Sequence, residues 1–197
     1  MNYLIPLTAR RDLHGLELEA GSWGGAEAVC MMSGLVAGAK STTDCVTAGW
    51  PEWLSDLNIS LFDADVGAAD EHAARLKFAL DVASLVSAPR DYDRARDLFL
   101  IRRLDEGDYS AIKTLRALPG DWPEQIFAVE AVVALLRRRI AGEDVAKEMS
   151  AATRAAAYAA EACAAARAAR ATAYAAEACA AARAAARADL IIALNAA

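Results

Sequence analysis

From Glu143 to the C-terminus the chain contains neither proline nor glycine, and alanine dominates its composition. Alanine freezes no side-chain rotamers and buries no polar group on entering a helix, so this stretch is predicted to be long helix, either continuous or folded as a hairpin. The same composition imposes a second constraint. Alanine fills little volume, and the 56% apolar content of the 197-residue chain therefore overstates what can pack an interior. The large side chains of a core must come from the preceding residues. Two regions follow: a helical body over 1–142 with an irregular N-terminal arm, and an alanine-rich segment over 143–197 that packs on the body or on another subunit.

Within the tail the pattern Arg-x3-Tyr-x2-Glu-x-Cys-x3-Arg occurs twice, as Arg154, Tyr158, Glu161, Cys163, Arg167 and as Arg170, Tyr174, Glu177, Cys179, Arg183. The period is sixteen residues, which at about 100° per residue turns the second unit roughly 160° from the first on a straight helix. One edge then holds Arg154, Tyr158, Glu161, Cys179 and Arg183, and the other holds Cys163, Arg167, Arg170, Tyr174 and Glu177. Alanine stripes lie between them and allow close helix approach, which suits self-association or burial between helices. Neither Glu161 nor Glu177 has an Arg three or four residues away, so their partners are water or another segment. Arg154, Tyr158, Glu161, Arg167, Arg170, Tyr174, Glu177 and Arg183 are the candidate partner- or ligand-binding residues.

The body reads as a compact array of short amphipathic helices, which makes the fold class all-α. Residues 1 to 25 form the arm, with one short strand expected at Tyr3 to Thr8. The run AEAVCMMSGLV, from Ala26 to Val36, fits a buried helix or a short buried strand equally well. Pro51 sits where a first-turn proline is tolerated and predicts a helix over about 51–62. A further helix over 68–86 is stopped by Pro89. Asp91 and Ser110 are placed to cap the next two, and Pro123 opens a helix that Gly142 breaks or bends.

Charge and cysteine usage narrow the function. The net charge is −6, and residues 151–197 carry five Arg against two Glu and one Asp, or +2, which leaves −8 for residues 1–150. An acidic body disfavours direct binding to nucleic acid, which needs clustered Lys and Arg to displace counterions. Cys30, Cys45, Cys163 and Cys179 show no Cys-x-x-Cys pair and no histidine at ligand spacing, so no metal site or cofactor is expected. The N-terminus lacks a signal peptide's apolar core, and no uncharged apolar run reaches 18 residues, so the expectation is a cytoplasmic protein without membrane contact.

The nearest approach to a catalytic motif is GLVAGAKS, Gly34 to Ser41, which has the outer spacing of a phosphate-binding P-loop, with Ala39 where the second glycine belongs. Asp63, at the end of LNISLFD, would then correspond to the magnesium-holding acid. Glycines that cap a helix end explain the same residues without nucleotide. Ser110 and Lys113 match a nucleophile spacing whose companion motifs are absent, and Ser110 reads as a cap. Asp63, Asp65, Asp70 and Glu71 could offer oxygen ligands but lack the register of a calcium loop. His14 and His72 support no triad.

The stretch EAVVALLRRRIAGEDVAKEMSAATRAAAYAAEACAAARAA, about Glu130 to Ala169, resembles a group of phage and prophage proteins in which an alanine-rich tail punctuated by Tyr, Arg and Glu follows a short helical body. It is also loosely similar to bacterial toxin-immunity proteins, which are helical and act by binding. The resemblance implies a non-enzymatic protein directed at a host or competitor protein, and it carries no catalytic residue to transfer. Three functions remain in view. The first is binding of a protein partner, with self-association. The second is capture of a small anionic ligand such as a nucleotide, with the Arg and Tyr groups supplying charge and stacking. The third is a degenerate P-loop.

Overall fold

A computed structural model describes residues 6–10, 12–13, 17–18, 20–21, 28–64, 68, 70–117, 121–153 and 174–197. The protein is mostly helical. The helices are α1 (Met31–Leu35), α2 (Thr42–Thr47), α3 (Glu52–Asp63), α4 (Glu71–Val86), α5 (Tyr92–Ile101), α6 (Ala111–Ala117), α7 (Pro123–Ile140) and α8 (Tyr174–Ala196). A π-helical turn, Arg102–Glu106, continues α5, and residues 146–153 are also helical. Extended structure among the described residues is confined to a two-residue parallel pairing, Glu17–Leu18 with Ala28–Val29.

Local chemistry accounts for most of these boundaries. Side-chain oxygens accept from orphan first-turn amides at four starts: Ser41 from Asp44 N, Asp70 from Ala73 N at 2.9 Å, Asp91 from Arg94 N at 2.9 Å, and Ser110 from Lys113 N at 3.4 Å. Pro51 and Pro123 supply the other two starts named in the sequence. Gly142, at φ 93°, ends α7 in the left-handed region that side chains other than glycine's resist. The ambiguous run from Ala26 to Val36 resolves into both of its readings, since Ala28–Val29 pair as a strand and Met31–Leu35 form α1. No strand forms at residues 6–8 of the expected N-terminal strand, and its first residues lie outside those described.

The chain divides into two compact units, residues 1–95 with 179–197, and residues 96–178. In the first unit, α3 buries Leu54, Ser55, Asn58, Leu61 and Phe62, a stripe at helical spacing, and contacts α1, α2 and α4. Leu190 and Leu194 of α8 are fully buried as well. The backbone of α3 ends in carbonyls that no helical amide can reach. Arg187 of α8 supplies the missing donors. Its guanidinium, 7% exposed, donates to the oxygens of Leu61, Phe62 and Ala64 at 2.7, 3.0 and 2.8 Å. It also lies over the Phe78 ring at 5.4 Å. Arg75 of α4 adds a fourth donation, Nε to the oxygen of Phe62 at 3.3 Å.

The second unit has a core of Ile101, Ile112, Val129, Val132, Val133 and Leu136. Three successive arginines at the end of α7 take carboxylate partners. Arg137 bonds Asp105 and Glu106 at 2.9 and 3.0 Å, Arg138 meets Glu143 and Glu148 at 2.7 and 3.4 Å, and Arg139 grips Asp97 through both Nε and Nη2. Asp97 is buried. Cations in the last turn also suit the negative end of the helix dipole.

Candidate interaction surface

Most of the repeat residues singled out in the sequence, Arg154, Tyr158, Glu161, Arg167 and Arg170, lie outside the described residues. Tyr174 opens α8 and Glu177 falls in its first turns, while Arg183 is exposed further along the same helix. Cys179 is exposed too, so it shares the wet side of α8 with Arg183, as the helical spacing of the two requires.

The Gly34–Ser41 segment forms a helix-ending loop. The Val36 and Ala39 amides bond the oxygens of Met32 and Val36, Gly38 takes a φ of 84°, and the Lys40 amide donates to Oδ2 of Asp44 at 2.8 Å. An open hollow of about 260 Å³ is lined by Val36 to Ala39 with Asp44, Thr47 and Ala48. The Asp44 carboxylate thus accepts from an amide of the kind that a P-loop offers to phosphate. The Lys40 amide and the Ser41 hydroxyl hold its pKa below the usual carboxylate range, which keeps it anionic and repels a second anion. The loop therefore does not support the P-loop reading.

The other candidate groups have structural work. Asp63 accepts from the Gly21 amide at 3.1 Å, Glu71 from the Ala68 amide at 3.0 Å, and Asp70 caps α4. Asp65 and His14 are not among the described residues, and His72 is exposed. Among the described residues no three His, Cys, Asp or Glu side chains converge as metal ligands, and no helix is long and apolar enough to cross a membrane. Trp50, fully buried, donates from its indole to the oxygen of Thr8 at 3.2 Å and thereby pins the N-terminal arm to the body. Cys30 and Cys45 are buried free thiols. Burial, with Cys30 and Asp44 nearby, pushes the Cys45 thiol up to about 11 and keeps it protonated, hence a poor nucleophile.

What the sequence reading missed is on α7. Phe127 is 73% exposed, the most exposed large hydrophobic side chain among the described residues, on a helix whose opposite side is the core of its unit. Single exposed apolar residues are common, but an aromatic ring standing on a rigid helix is the type of group that anchors protein interfaces. It lies in a row at alternating steps of three and four: Glu124, Phe127, Ala131, Ala134, Arg138. Ala131 is half-buried and the other four are exposed. The signal available in the sequence was the apolar run IFAVEAVVALL, in which Phe127 falls off the inward spacing set by Val129, Val133 and Leu136.

No family model matches the chain, and neither a curated protein nor a solved structure does.

Proposed function

We infer that this is a non-enzymatic binding protein that works through helix surfaces, phage-encoded and directed at a host or competitor protein, of the counter-defence or immunity type. The observation that carries the binding reading is the exposed Phe127 on the outer side of α7. A phenyl ring left in water forfeits burial worth roughly 1.5–3 kcal/mol, a quantity that a partner surface recovers. Flanking carboxylate and guanidinium groups on the same row supply the polar rim that gives an interface orientation. The mostly helical fold and the likeness of the tail to phage and prophage proteins support the biological setting.

The test is affinity capture from the lysate of the protein's own host with wild type and Phe127→Asp in parallel. A partner protein held by the wild type and lost by the variant, with circular dichroism and melting temperature unchanged, is the expected result. A wild type that retains no protein and stays monomeric at high concentration contradicts the reading.

A further inference from the structure

Building on the reading that the protein acts by binding through helix surfaces, we propose that the outer row of α7 pairs antiparallel with the same row of a second copy of this chain, around a two-fold axis at Ala131. The 3–4 spacing of Glu124, Phe127, Ala131, Ala134 and Arg138 is that of a helix-pairing seam. In a two-fold interface residue i meets j while j meets i. Taken in reverse, the seam runs Arg138, Ala134, Ala131, Phe127, Glu124. The layers then match to within one residue, or about 1.5 Å of helix rise: Glu124 faces Arg138 of the second copy, Phe127 reaches Ala134, and Ala131 meets its own equivalent at the axis. The alanines leave the hollow that the phenyl ring fills, and their size lets the two axes come close.

A parallel arrangement fails on the same residues, since it sets Glu124 on Glu124, Arg138 on Arg138 and the two rings on each other. Charge also selects this unit for self-pairing. Residues 96–178 carry 12 Lys and Arg against 12 Asp and Glu, a balance of 0, whereas residues 1–95 with 179–197 carry 9 against 15, or −6. Two copies can meet through the neutral unit without net repulsion. Arg138 already meets Glu143 and Glu148 in its own chain, so its pairing with Glu124 sets direction more than affinity. A seam of one helix per copy is at the small end of stable interfaces, and the dimer dissociates on dilution.

Sedimentation velocity of the full chain over a wide concentration range tests this. The wild type is expected to shift from monomer to dimer. Phe127→Asp weakens the dimer by about 30-fold or more, as loss of a hot-spot side chain does. Ala134→Arg, which fills the hollow from an exposed position, weakens it comparably. Glu124→Arg and Arg138→Glu each weaken it by about threefold, and the two together restore it. A dimer that survives both Phe127→Asp and Ala134→Arg overturns the pairing. A wild type that stays monomeric yet captures another protein through Phe127 also overturns it while leaving the binding reading intact, and a monomer that captures nothing sinks both.

Discussion

Each unit of this protein places an arginine against acceptors withdrawn from water, but the acceptors differ in kind. In the first unit Arg187 satisfies three neutral carbonyls at the end of α3. In the second, Arg139 is bidentate on the buried carboxylate of Asp97. Each unit is therefore fragile at a different kind of contact. A guanidinium on carbonyls keeps its charge whatever happens to one acceptor, and its loss orphans several backbone groups together. A guanidinium on a buried carboxylate answers a charge, and its loss leaves Asp97 with the longer 3.8 Å contact to Arg96 Nε in its place. Arg75 and Arg90 of the first unit also donate to backbone, on the oxygen of Phe62 and on those of Leu85 and Asn195. Arg75 and Lys77 pair with Glu71 and Asp81 as well, and Lys113 of the second unit donates to the oxygen of Glu106, so the contrast belongs to the buried arginines and not to every cation.

The contrast can be broken by substitution. Arg187→Leu should have the largest effect, costing about 4 kcal/mol by urea denaturation, because three carbonyls lose a charged donor and α8 loses its tether to α3. If the loss is below about 1 kcal/mol, water replaces the guanidinium and the cap is not what secures α8. Arg139→Leu should cost about 3 kcal/mol, and Asp97→Leu less, since the Arg139 side chain is 36% exposed and can turn to water while Asp97 cannot. Equal costs would place both partners in the same environment and remove the asymmetry.

A fourth substitution carries the opposite sign. Asn58 is fully buried on the apolar stripe of α3, and neither its amide nitrogen nor its oxygen has a hydrogen-bond partner. Asn58→Leu should therefore stabilise the protein by about 1–2 kcal/mol, seen as a higher urea midpoint. A destabilised variant would mean that Asn58 is satisfied in solution.

The smallest effect is a pH slope. Cys45 is raised from 9.0 to about 11 by burial, so the unfolded chain gives up this proton first. Stability is full below pH 9, falls as pH rises from 9 to 11, and Cys45→Ala should flatten that part of the melting curve. An unchanged slope would place the alkaline loss elsewhere, with Tyr92, which burial raises to about 12, the next group to test.

The fold class and most helix ends were legible because they are local: Asp91 and Ser110 sit one residue before the helices they cap, and Pro51, Pro123 and Gly142 act where they stand, whereas Asp70 caps α4 from inside the helix expected over 68–86. The run around Cys30 misled only in appearing to demand a choice between helix and strand. What could not be read is non-local. Nothing near Arg187 announces that its partners are the oxygens of Leu61, Phe62 and Ala64, and an arginine in an alanine-rich tail reads as solvated until the tertiary contact is known. Asn58 and Phe127 are the reverse case. A polar residue inside an apolar stripe and an aromatic outside one both break the helical pattern, and the break, more than the pattern, marks the places to test. The Gly34–Ser41 spacing was legible as a motif but not as chemistry, because the acceptor of the Lys40 amide is the side chain of Asp44.

Native mass spectrometry of the protein purified from its own host tests the central claim most directly, because it reports subunit number and retained ligand together. A dimer, or a complex with a second protein, with each chain at its own mass, is the expected result. A monomer carrying an extra few hundred daltons would contradict it and make capture of a small anionic ligand the protein's activity.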